Sequence, residues 1–150
     1  MERALAVVEG SERAKRLVRE AGELAAGVDA DLVLLHVTTE EEFAGESDAL
    51  ASIPDFDTGY SVENARDGAR QFAADVGSDA LADVDVEFEA VGRLGDPVER
   101  VLDAAQDHDC DHLFIAGRRR SPAGKALFGD VAQRVILDFE EPVTVMTGGR

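Results

Sequence analysis

The segment AGRRRSPAGKALFGDVAQ, residues 116–133, concentrates three arginines, three glycines and a lysine in an otherwise acidic chain. Cationic side chains beside glycine-loosened backbone suit a phosphate-binding loop. The magnesium-nucleotide pattern G-x-x-x-x-G-K-[ST] is not met. Six residues separate Gly117 from Gly124, and Ala126 follows Lys125, so no hydroxyl is available for the metal. Nor does a G-x-G-x-x-G fingerprint follow the first apolar run, where Glu9-Gly10-Ser11 stands instead. The chemistry that remains is anion binding. Amides at a helix start could hold an anion, and Arg118, Arg119 and Arg120 could neutralise it. Asp130 lies three residues before Gln133, the spacing of a capping box, and Gly129 allows a tight turn before it. Asp130 also puts a negative charge where a phosphate would sit. Two readings stand side by side: an anion site, and a capped helix beside a solvated arginine cluster.

The run Asp107-His108-Asp109-Cys110-Asp111-His112 has the residue types of a metal cluster. Adjacent residues at a helix end point in different directions, so an acidic solvated turn is the expectation. His36, inside the apolar run VLLHV, is expected to be a hydrogen-bonded structural residue rather than a catalytic base. Cys110 is expected to fill space, with no basic neighbour in sequence to lower its pKa. Ser11 is expected to cap the first helix rather than act as a nucleophile.

These groups sit in a chain of 150 residues, 45% hydrophobic, which suits a single domain with a real core. No apolar run is long enough to span a membrane. The N-terminus reads as a first strand, not a secretory signal. One cysteine fits a reducing compartment, so a cytoplasmic location is expected. The formal net charge is -17, from 32 acidic and 15 basic side chains, and only Lys15 and Lys125 are lysine. Such a surface repels itself, and concentrated salt screens the repulsion. A halophilic protein is expected, and nonspecific nucleic-acid binding is disfavoured.

Five apolar runs of strand length follow: 4–8, 33–37, 84–91 (alternating, with Val84, Val86, Phe88 and Ala90 on one face), 113–116 and 143–147. Between them, apolar residues at helical spacing predict helices over 14–25, 62–76, 98–105 and 131–136, with Asp96-Pro97 opening the third. Residues 38–60 show no clear period and are expected to form a long, mobile loop or a short broken helix. Alternating strands and helices imply an α/β fold, an open doubly wound parallel sheet with two helices on each face. Ligands of such sheets bind at the carboxyl ends of the strands. That rule selects the loops at Glu9-Gly10-Ser11, after Val37, from Gly92 to Pro97, and from Gly117 to Asp130.

Four motifs in this order resemble the universal stress protein family: Glu9-Gly10-Ser11, Leu35-His36-Val37, Gly95-Asp96-Pro97, and Gly117 through Val135 followed by Pro142-Val143. With the acidic composition, the resemblance is to a haloarchaeal type. It implies strand order 3-2-1-4-5, a stress-response role, and a homodimer through the last strand (Val143, Val145, Thr147). It also implies an ATP or other adenine-nucleotide site. The expected ligand-binding set is Glu9, Gly10, Ser11, Val37, Gly95, Gly117, Arg118, Arg119, Arg120, Gly129, Asp130 and Val131, with no catalytic residue and no metal. Nucleotide-binding members carry G-x2-G-x9-G-[ST] in the last loop. Here Gly117 matches the first glycine, Arg120 replaces the second, Gly129 comes one residue early, and Asp130 replaces the hydroxyl. Glu9 stands where such members have the Asp facing adenosine, and Val37 where backbone recognises adenine. The alternative is a weak ATPase or nucleotidyl-transfer enzyme of the same architecture.

Overall fold

A computed structural model of the chain describes residues 1–51, 62–117 and 129–147. The elements run β1 (Arg3–Val7), α1 (Arg13–Gly27), β2 (Asp31–Thr38), α2 (Glu40–Ala51), α3 (Val62–Ala80), β3 (Phe88–Leu94), α4 (Pro97–Asp107), β4 (His112–Ala116), α5 (Asp130–Asp138) and β5 (Val143–Met146). The strands form one parallel sheet in the order β3-β2-β1-β4-β5, as the family resemblance implies. Among the described residues, no helix is long and apolar enough to cross a membrane.

The inner strands are buried on both faces, which is why they read as continuous apolar runs. Successive side chains alternate between two cores. Ala4, Ala6, Leu32, Leu34 and Phe114 pack against α1 and α3 through Leu17, Val18, Ala73 and Val76. Leu5, Val33, Leu35, Leu113 and Ile115 pack against α4 and α5 through Val98, Val101, Ala132 and Val135. Two helices thus cover each face, as expected. Each fully buried Leu or Val contributes about 1.5–3 kcal/mol relative to exposure.

Three local expectations need correction. The expected third strand at 84–91 begins later, at Phe88, because β2 starts at Asp31 and its first partner on that side is Phe88, opposite Leu32. Val84 and Val86 do pack on the core. Their amides, however, bond locally to Leu81 and Val84 rather than to a neighbouring strand. The alternation there records burial, not pairing. The strand then continues through Gly92 to Leu94 along the sheet margin.

The second correction is α2. Of residues 38–60, expected to form a long loop or a short broken helix, 40–51 form a helix, which overturns the loop reading and bears out the helical one, while 52–60 lie outside the described residues. Thr39 and Glu42 start this helix with a capping box. The Glu42 amide donates to Thr39 Oγ1 at 3.1 Å, and Glu42 Oε1 accepts from the Thr39 amide at 3.3 Å. Three glutamates in its first turn favour the positive end of the helix dipole.

The third concerns caps. Asp96 caps α4 as expected, accepting from the Glu99 amide at 3.1 Å. Ser11 does not cap α1; the N-cap is Glu12, without a side-chain bond, and Ser11 Oγ instead donates to Glu9 Oε1 at 2.9 Å. Asp130 is not a cap either. It is the first residue of α5, and the N-cap is Gly129 at φ 86°, ψ 155°, with no capping side chain. That positive φ is strained for any residue with a Cβ, so glycine makes the turn.

Candidate functional site

A cavity of about 560 Å³ opens at the carboxyl ends of β1, β2 and β4. It lies where the chain, having built outward from β1 to β3, crosses back to β4. This is the switch point at which open α/β sheets bind ligands. The volume falls in the range of small-molecule sites. Its apolar wall includes Val7, Val37, Ile115 and Phe72, and its polar rim carries Glu9, Arg13, Thr39, Glu42 and Asp130.

Of the expected site residues, Glu9, Gly10, Val37, Gly117, Gly129, Asp130 and Val131 line this cavity. Ser11 does not; its hydroxyl holds the Glu9 carboxylate from the side. Gly95 lies in a separate depression of about 500 Å³ with Thr39, Asp96 and Arg100. Its amide ties the end of β3 to the Thr38 carbonyl at 3.0 Å. Arg118, Arg119 and Arg120 lie outside the described residues.

Arg13 is the residue the sequence reading missed. One guanidinium nitrogen donates to the Gly117 carbonyl at 2.6 Å, and the other to Glu9 Oε1 at 3.0 Å. A first-turn residue of α1 thus bridges the end of β1 to the end of β4. The four-residue spacing of Glu9 and Arg13 is a signal for the ion pair. The bond to a carbonyl 104 positions away has no sequence signal. Among the described residues, the rim carries three carboxylates, Glu9, Glu42 and Asp130, against this one guanidinium.

His36 is hydrogen-bonded as expected. Its Nδ1 lies 2.6 Å from the Val8 carbonyl. A carbonyl only accepts, so Nδ1 carries the proton and donates. The ring packs on Phe72 with centroids 4.5 Å apart. The bond ties the β1 exit to β2 beside the cavity.

The acidic-histidine run disperses. Asp107 pairs with Arg93 at 3.2 Å. Asp111 accepts from the Glu2 and Arg3 amides, which hold its carboxyl below the usual range. His112 Nε2 lies 2.7 Å from Thr144 Oγ1, and burial lowers the pKa of that ring. Cys110 is buried, and desolvation pushes its thiol up to about 11; it is a space-filling residue, as expected.

The fold and this cavity define a doubly wound α/β domain with a cavity of small-molecule size at its switch point. The model of the universal stress protein family matches residues 1–147, and the chain belongs to that family. A universal stress protein of Mycolicibacterium smegmatis (strain ATCC 700084 / mc(2)155) is 42% identical over 64 residues, 42% of this chain and 49% of that protein. The match therefore spans about half the length of that curated relative. A universal stress protein solved in complex with cAMP shares the fold, with a TM-score of 0.62 and 21% identity over 99% of this chain and 98% of that one. The universal stress protein of Archaeoglobus fulgidus, solved in complex with dAMP, gives 0.57 and 20% identity, covering 98% of each chain.

Proposed function

We propose that this chain is a cytoplasmic stress-response module of a halophile that binds an adenine nucleotide in the switch-point cavity and works as a homodimer. The observation that carries the reading is the convergence of Glu9, Val37, Gly117 and Gly129, from four separate segments, on one cavity of small-molecule size. The cAMP and dAMP complexes of proteins with the same fold support an adenine ligand. The apolar wall suits a base, and Glu9 suits the hydroxyls of a ribose, with Arg13 balancing its charge. Arg118, Arg119 and Arg120 would attend the phosphates. The rim carboxylates oppose them, Asp130 most of all, because it occupies the first turn of α5. Like charge there disfavours a phosphate, so each added phosphate gains less than in members with the full glycine motif.

Calorimetric titration with ATP, ADP, AMP and cAMP in molar potassium chloride tests this. At least one should bind in a 1:1 ratio, and Glu9→Ala should abolish the heat. Asp130→Ser should tighten ATP by roughly three- to tenfold, about 0.7–1.4 kcal/mol. A silent titration with all four ligands sinks the nucleotide reading. An unchanged or weaker ATP affinity in Asp130→Ser sinks the charge argument alone.

A further inference from the structure

We propose that the free margin of β3 is a docking site for an acidic, extended peptide segment that adds to the sheet as a further strand. β3 is the last strand on its side of the sheet. It pairs with β2 from Phe88 to Leu94, and among the described residues no strand pairs with its other side. An edge strand presents unpaired amides and carbonyls that a foreign strand can use.

Three arginines flank this edge, against one carboxylate, Glu89, among the described residues that line it. A depression of about 290 Å³ runs along it, walled by Arg66 and Arg70 from α3 on one side and by Arg93 and His108 on the other. Gly92 is why the α3 wall stands so close. A Cβ there would strike the Arg66 carbonyl oxygen and the Arg70 amide nitrogen. Arg66 and Arg70 are four apart and share one helix face. On the opposite side, Arg93 holds Asp107 at 3.2 Å, and His108 Nδ1 is 3.5 Å from Glu89 Oε2.

Arg66 and Arg70 meet no carboxylate among the described residues. Arg3, Arg13, Lys15, Arg19 and Arg100 all do. In a chain with 32 acidic side chains, these two exposed guanidinium groups stand side by side without a carboxylate partner among the described residues; Arg134 on α5 also meets none there, but it is a single group. Side chains of an added strand alternate between the two faces, so carboxylates at successive positions would meet α3 arginines on one face and Arg93 and His108 on the other. A second copy of β3 would bring like charges together and is disfavoured. Nucleic acid is a poorer fit: it offers no strand backbone, and beyond the patch it would cross a surface of net charge -17.

The probe is a fluorescein-labelled Glu-Glu-Val-Glu-Glu-Val-Glu peptide, blocked at both ends. Binding is read by fluorescence polarisation in about 0.15 M potassium chloride, where the Debye length is about 8 Å and remote carboxylates are screened, and again in molar salt. The wild type should bind. The double variant Arg66→Glu/Arg70→Glu should weaken binding by roughly tenfold or more, and Arg66→Gln/Arg70→Gln by less, with unchanged circular dichroism in both. Arg134→Glu, on α5 away from this edge, should leave binding as it is. N-methylating alternate peptide residues should also weaken binding by roughly tenfold, because strand pairing needs those amides. The proposal is overturned if the wild type does not bind, if charge reversal at Arg66 and Arg70 changes nothing, or if the N-methylated peptide binds equally well. Tighter binding of a short single-stranded DNA at the same arginines would overturn it too.

Discussion

The two margins of the sheet close the same stack of parallel strands with opposite chemistry. Along β5 and the residue after it, Val143 to Thr147 carry no charge, and the helix leading into that strand leaves Leu137 74% exposed. Along β3, arginines stand on both sides, and α3 is drawn so close that only glycine fits at position 92. An uncharged edge suits the proposed isologous contact with a second copy. An arginine-flanked edge would instead favour the acidic segment proposed above. The lesson is that exposed backbone alone does not choose a partner; the flanking side chains do.

The comparison can be broken most severely at its tightest point. Gly92→Ala should destabilise the fold by about 2–3 kcal/mol, since backbone and not a flexible side chain blocks the new methyl. The melting temperature should fall by roughly 5–10 °C. An unaltered midpoint would show that α3 does not lean on β3. Val145→Lys should weaken self-association by roughly a hundredfold, about 2.7 kcal/mol, as read by sedimentation in molar salt. Val145 also packs on the α4/α5 core, so its thermal midpoint must be followed in parallel. Thr147→Lys, exposed and beyond the strand, should weaken association less and leave stability alone. A monomeric wild type, or variants that remain dimeric, would rule out β5 as the interface.

Raising potassium chloride from about 0.1 to about 3 M should lift the melting temperature, because screening relieves the repulsion of a surface of net charge -17. It should also favour the β5 contact and weaken acidic-peptide capture at β3. A flat midpoint would remove the halophile argument. The smallest effect is at His112, which joins β4 to β5 through Thr144. Burial lowers its pKa from the usual 6.5, so the unfolded chain binds the proton more readily than the folded one. Stability should therefore decline as pH drops below about 6.5 and level off once the folded ring is protonated. His112→Gln should flatten that part of the urea-midpoint profile; an identical slope in the variant would assign the titration elsewhere.

Much of this architecture was legible without coordinates. Alternating apolar runs and helical periods named the layers, and Asp96-Pro97 marked the start of α4. Ser11 and Asp130 misled because a capping residue type does not say where its side chain will turn. Ser11 was drawn to Glu9, and Asp130 entered the helix once Gly129 had made the turn. α2 was legible only as the alternative to a loop, although Thr39-x-x-Glu42 spelled its cap, because its apolar residues are too sparse to show a period.

For the site, residue types and chain order sufficed to select the loops at the strand ends, and Glu9, Val37, Gly117 and Gly129 do share one cavity. The sequence determined which segments were apolar, where helices could start, and how much charge the surface must carry, because these are properties of neighbours along the chain. Only the tertiary structure decided that Arg13 would reach Gly117, that Gly95 would face another depression, and that Arg66 and Arg93 would flank one edge from opposite faces. Those pairings join residues far apart in sequence, and they follow from strand order and helix packing, which no local pattern records.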